Sequence, residues 1–209
     1  MTTPRIYAIA DAEALGSIPL PEAVGAMAEA GIGWIQVRAK RLSGRDLFED
    51  LDACCRRIEG TGAVLWIDDR ADLAALFPVA GVHVGQTDLP PVAVRRIVGT
   101  GLRIGLSTHD EAQLAAADAD PDVDVVAVGP VFPTASKERP DPVIGLDFVR
   151  RARARTAKPL VAIGGIGAET VRAVLEAGAD GAVVLGAICR GSDLGQIGKN
   201  ARRLLAAAG

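Results

Sequence analysis

Eight short runs rich in β-branched and apolar residues recur along this chain, separated by amphipathic stretches rich in alanine. The runs are "RIYAIA" (5–10), "WIQVRA" (34–39), "VLWID" (64–68), "GVHVG" (81–85), "RIGLS" (103–107), "DVVAVG" (124–129), "PLVAIG" (159–164) and "GAVVLG" (181–186). Helical patterns fall between them, among them "PEAVGAMAEAG", "GRDLFEDLDACCRRIEG", "DEAQLAAADA", "LDFVRRARART" and "AETVRAVLEAG". Gly31 and Gly178 follow two of these stretches, where a left-handed helix cap is expected. Strands joined by helical crossovers imply a parallel sheet. Eight such units predict an α/β fold closed into a (β/α)8 TIM barrel, as a single domain over residues 1–209. An open doubly wound sheet is the alternative, but its glycine fingerprint is missing from "IADAEALG" after the first run. "AIGGIG" follows the seventh run instead, where barrels often bind phosphate.

Composition narrows the function classes. The 209 residues are 49% hydrophobic with a net charge of −3, which gives no footprint for nucleic acid. The basic cluster Arg150, Arg151, Arg153 and Arg155 falls in a helical stretch and is expected to be a solvated outer face. Three cysteines, two of them adjacent at Cys54 and Cys55, make a disulfide framework improbable. "MTTPRIYAIA" lacks the features of a signal peptide, and no apolar run reaches the roughly 18 residues that span a bilayer. A cytoplasmic protein without nucleic-acid or membrane partners is expected.

A barrel gathers its catalytic groups at the carboxyl ends of its strands, and the polar residues obey that rule. In "WIQVRAK", Gln36, Arg38 and Lys40 alternate with Ile35, Val37 and Ala39. The two-residue period of a strand places the polar three on one face. Helices cover the outside of a barrel, so that face is the inner one. Inward cations are costly unless an anion meets them. The third run ends in Asp68 and Asp69, the fourth leads to Asp88, and the fifth ends in Ser107 before Thr108 and His109. The loop after the sixth carries Thr134, Ser136 and Lys137, and glycine-rich loops follow the seventh and eighth. Each has a plainer reading too. Asp68 is an N-cap candidate, Asp88 a turn residue, and His83 an inward histidine that is as readily core as catalytic.

Cations Arg38, Lys40 and Lys137 with carboxylates Asp68, Asp69 and Asp88 suggest Mg²⁺ with a polyphosphate. The glycine-rich loops after the last two strands suggest a second, single phosphate. Two anionic ligands fit a group transfer in which pyrophosphate leaves.

"WIQVRAK", "IDDRADLA", "GVHVGQTDLP", "GLSTH", "VGPVFPTASK" and "VAIGGIGAETVRAVLEAGADGAVVLGAI" resemble, in order, the motifs of the thiamine-phosphate synthase family over about residues 34 to 189. The resemblance implies a (β/α)8 barrel that joins a hydroxymethylpyrimidine diphosphate to a thiazole phosphate and releases pyrophosphate. Matched by position, it implies Asp69 and Asp88 as Mg²⁺ ligands and Arg38, Lys40 and Lys137 on the diphosphate. Gln36 and Ser107 would lie near the reacting end, Ser107 beside the cations that do the chemistry. Thr134, Ser136, Gly165 and the backbone around Leu185 and Gly186 would hold the thiazole phosphate. Asp68 stands where the family usually has Asn, on the substrate side, and Gly186 where it usually has Ser. The thiazole tautomerases share the fold and resemble the chain nearly as well, with His109 in the place of their proposed proton carrier. A non-catalytic phosphate-binding barrel is the reading from another class. "ASKERPDPVIG" is the expected lid.

Overall fold

Each strand is followed by one helix or two in the computed structural model, which describes residues 2–134, 141–190 and 193–209. The strands are β1 (Ile6–Asp11), β2 (Trp34–Arg38), β3 (Val64–Asp68), β4 (Gly81–Val84), β5 (Arg103–Thr108), β6 (Val125–Val128), β7 (Leu160–Ile163) and β8 (Gly181–Val184). The helices are α1 (Ala12–Leu15), α2 (Leu20–Glu29), α3 (Gly44–Ile58), α4 (Ala71–Ala74), α5 (Pro91–Val98), α6 (Glu111–Ala119), α7 (Gly145–Arg155), α8 (Val171–Glu176), α9 (Gly186–Cys189) and α10 (Leu194–Ala208). All neighbouring strands pair in parallel, and β1 pairs with β8, so the barrel closes. The expected (β/α)8 barrel is the observed one, and every strand lies within a residue or two of its predicted run.

The helices form where local signals ask for them. Ser43 caps α3 by accepting from the Asp46 N–H at 3.2 Å. Leu47, Leu51 and Cys54 then recur on one buried face. After α2 the Gly31 N–H reaches Ala28 O at 2.9 Å and the Ile32 N–H reaches Met27 O at 3.1 Å, a Schellman cap with Gly31 at φ 101°. Gly178 ends α8 in the same way. The basic cluster on α7 is solvated at Arg150, Arg151 and Arg155. Arg153 departs from that expectation: it pairs with Asp180 at 2.8 Å and donates to the Lys158 carbonyl, so it staples α7 to the floor of the next unit.

Two layers of packing result. The outer faces of the strands meet the helices in one large core, and the inner faces make a smaller one around Tyr7, Trp34 and Trp66. Facing positions alternate in size. Gly81 lies opposite Trp66, and a Cβ there would come 2.6 Å from the indole. Gly105 lies opposite His83, whose ring a Cβ would overlap. These glycines leave room for Trp66 and His83 inside a barrel already packed at interior density. The aromatic layer of Tyr7, Trp34 and Trp66 fills the barrel interior toward the amino ends of the strands.

Candidate active site

Two cavities open at the carboxyl rim of the barrel. The larger, about 990 Å³, is charged and includes Arg38, Lys40, Asp68, Asp69 and Asp88 in its wall. The smaller, about 390 Å³, is lined by Thr134, the Gly164–Gly167 loop and the Leu185–Ala187 turn. Ser107, His109, Asp141, Leu185 and Arg190 line both, so the two adjoin.

The alternation in β2 works as its spacing predicts, but its three polar residues do different things. Gln36 is buried below the charged cavity, and its Nε2 donates to Tyr7 Oη at 2.9 Å. Arg38 pairs with Asp11, lies 3.3 Å from Glu13 Oε2, and brings Nε within 3.5 Å of Asp68 Oδ2. Burial alone would weaken its charge. The hydrogen bond and charge of Asp11, helped by Asp68 and Glu13, outweigh that and raise its pKa. Lys40, just past the strand, holds Asp69 and stands 3.3 Å from Asp68 Oδ2.

The two aspartates after β3 are not equivalent. Asp68 continues the inward face, and its Oδ2 is buried without a well-formed hydrogen bond. Burial raises its pKa; Lys40 and Arg38 offset part of that, and Asp88 adds to it. Asp68 does not cap the helix that follows: α4 begins after Arg70, with no side-chain cap. Asp69 turns the chain at φ 59°, a conformation that Asp and Asn tolerate better than other side chains. Its N–H donates to His83 O at 2.8 Å, which ties the turn to β4. Asp88 serves its turn through Oδ2, which accepts from the Gly85 N–H at 2.8 Å, while the side chain still faces the charged cavity.

Ser107 stands between the cavities, with Oγ 2.9 Å from His83 Nε2. His83 is therefore an inward residue that lines the charged cavity beside Ser107. His109 Nδ1 lies 2.7 Å from Gly129 O, and its Nε2 is 3.5 Å from Asp141. In the smaller cavity Gly165 has φ 64°, and a Cβ there would meet Pro133 O at 2.5 Å. The glycine lets two loops touch, which leaves backbone rather than side chains around the cavity. Ser136, Lys137 and most of the expected lid lie outside the described residues. Asp11, Glu13, Gln86, Asp141 and Arg190, none of them among the residues the sequence motifs single out, also line the charged cavity. The two-residue period would have found Asp11, which continues the inward series Tyr7 and Ile9.

A closed (β/α)8 barrel whose carboxyl rim joins a cation-and-carboxylate cavity to a glycine-walled one is a phosphate-handling barrel enzyme. Comparison with known proteins narrows that class. The chain belongs to the thiamine monophosphate synthase family, whose sequence model matches residues 6–188, and it is therefore a transferase. It is 43% identical to a thiamine-phosphate synthase of Koribacter versatilis over 186 residues, 87% of each chain. It is 41% identical to another from Acidothermus cellulolyticus over 191 residues, 90% of each chain. Among solved structures, a thiamine phosphate pyrophosphorylase from Pyrococcus furiosus superposes with a TM-score of 0.86 at 29% identity, covering 98% of this chain and 95% of that one. Of the readings the sequence left open, these relatives support the synthase.

Proposed function

We propose that this enzyme transfers the hydroxymethylpyrimidine group from its diphosphate to thiazole phosphate in the cytoplasm, with Asp69 and Asp88 holding Mg²⁺. The observation that carries the reading is the pair of adjoining cavities, one suited to a diphosphate and one to a phosphate-bearing ring. The donor set suits Mg²⁺. Asp69 and Asp88 face one cavity beside Arg38 and Lys40, and no group of three His, Cys, Asp or Glu converges among the described residues. Mg²⁺ takes one or two carboxylates and completes its shell with water and phosphate oxygens, so it needs no larger protein cage. When bound, it would neutralise charge on the departing diphosphate.

The chain's own residues do the rest. Arg38, Lys40 and Lys137 grip the diphosphate oxygens. The bond from the pyrimidine methylene carbon to the bridging oxygen breaks, and pyrophosphate leaves with the electron pair. The thiazole ring nitrogen supplies the pair that forms the new carbon–nitrogen bond. No proton has to move, which suits a site where Ser107 and His83 are engaged with each other. Thr134, Ser136, Gly165 and the backbone at Leu185 and Gly186 hold the thiazole phosphate so that its nitrogen faces that carbon. Catalysis is then positioning and stabilisation of leaving-group charge.

The test is to supply both substrates with Mg²⁺ and follow pyrophosphate and thiamine phosphate. Coupled release that EDTA and Asp69→Asn both abolish is the expected result. Isomerised thiazole without coupling would overturn the reading in favour of a tautomerase. Ligand binding without turnover would leave a phosphate-binding barrel.

A further inference from the structure

We propose that Asp11 is a positioning residue of the diphosphate cavity, acting by fixing the Arg38 guanidinium. Asp11 ends β1 on its inward face, and in the β1–β2 register it lies directly opposite Arg38. It is only 3% exposed, although it carries a carboxylate. Its two oxygens have separate partners. Oδ1 accepts from the Ala14 N–H at 2.8 Å, and Oδ2 pairs with Arg38 Nη1. Because the backbone holds Oδ1, the carboxylate cannot swing away from the guanidinium.

A free arginine side chain has many rotamers, and each must be given up when it grips a ligand. Asp11 removes that cost before the ligand arrives. Glu13, the other carboxylate on this side, is farther away at 3.3 Å and more exposed, so it holds Arg38 less firmly. A plainer role for Asp11, capping α1, makes a different prediction, and two substitutions separate the roles. Asp11→Asn and Asp11→Ser both keep a cap acceptor. Asn loses the charge, and Ser also loses the reach to Arg38.

The role rests on the diphosphate reading above, so the experiment measures binding as well as turnover. Calorimetry with inorganic pyrophosphate and Mg²⁺ would compare the wild-type chain, both Asp11 variants, Arg38→Gln, and the double variant Asp11→Asn/Arg38→Gln. Each Asp11 variant should bind pyrophosphate about tenfold more weakly. The double variant should bind no more than about twofold more weakly than Arg38→Gln alone, because residues acting through one contact are not additive. In turnover, KM for the pyrimidine diphosphate should rise while KM for thiazole phosphate stays put. Unchanged pyrophosphate affinity in both variants, which keep the cap acceptor, would reduce Asp11 to a cap and overturn the proposal. Full multiplication of the Asp11 and Arg38 effects would overturn it too. A wild-type chain that binds pyrophosphate but forms no thiamine phosphate would sink the synthase reading and leave the Asp11 result standing. A wild-type chain that does not bind pyrophosphate would overturn both.

Discussion

Asp68 Oδ2 stands 3.3 Å from Lys40 Nζ, inside the cavity where the diphosphate is proposed to bind. The carboxylate occupies two cations, Lys40 and Arg38, that the ligand needs, and an ionised carboxylate can only accept hydrogen bonds. Asp68→Asn should remove a charge that competes with the ligand for both cations and add a donor, while Arg38 stays held by Asp11 and Lys40 by Asp69. KM for the pyrimidine diphosphate should fall about tenfold, the equivalent of one charge-assisted hydrogen bond of about 1.5 kcal/mol. Steady-state kinetics with the thiazole phosphate saturating would show it, and an unchanged or higher KM would refute it.

The same substitution has a pH signature. Burial raises the Asp68 pKa beyond what Lys40 and Arg38 offset, so the folded chain holds this proton more tightly than the unfolded one. Its contribution to stability is fully present below the unfolded value of about 3.9 and is lost as pH rises through the folded value. Asn has no proton to lose. Melting temperatures of the wild-type and Asp68→Asn proteins should therefore converge near pH 4. Toward pH 7 they should separate, with the variant melting at the higher temperature. Parallel curves across that range would count against the assignment.

Asp69 can be tested without damaging its turn, because Asn also tolerates the φ of 59° found there. Asp69→Asn should melt within a degree or two of wild type yet lose at least about a hundredfold in kcat/KM, a loss of roughly 3 kcal/mol of transition-state stabilisation. Asp69→Val should add a stability loss of about 1–2 kcal/mol, since a β-branched residue is strained at positive φ. If Asp69→Asn keeps wild-type turnover in Mg²⁺, the metal assignment is wrong.

Gly165→Ala should act on the other substrate. The new methyl would meet Pro133 O at 2.5 Å and Phe132 Cβ at 2.8 Å, in a backbone already at φ 64°. Moving that loop should raise KM for thiazole phosphate about tenfold or more and cost roughly 1–3 kcal/mol of stability, as overpacking does. KM for the pyrimidine diphosphate should change far less. Equal effects on both KM values would argue that the cavities are not the separate half-sites proposed.

Thiol chemistry should have no part in the reaction. Burial pushes the Cys189 thiol up to about 11 and the Cys54 thiol higher still, so neither is a useful nucleophile near neutral pH. Iodoacetamide at pH 7.5 should leave activity intact, whereas EDTA should remove it. Inactivation by the alkylating agent would show that a cysteine, Cys55 being the most exposed, bears on the site.

Strand count, strand position and the inward turn of Gln36, Arg38 and Lys40 could all be read from the chain, because hydrophobic period and crossover length are local properties. Parallel βα units also carry their strand ends to one rim, so the sequence alone puts Asp68, Asp69, Asp88 and Ser107 together there. What each of them touches was not legible. Gln36 is held by Tyr7, twenty-nine residues away, and Arg38 by Asp11, twenty-seven away. Asp88 partly closes its own turn, and the Asp68 carboxylate is held under two cations rather than capping a helix. Such partners depend on the register between neighbouring strands and on how closely side chains pack inside the closed barrel. Those quantities are set only once all eight strands close, so the sequence decided which groups reach the rim and the tertiary structure decided which of them face one another.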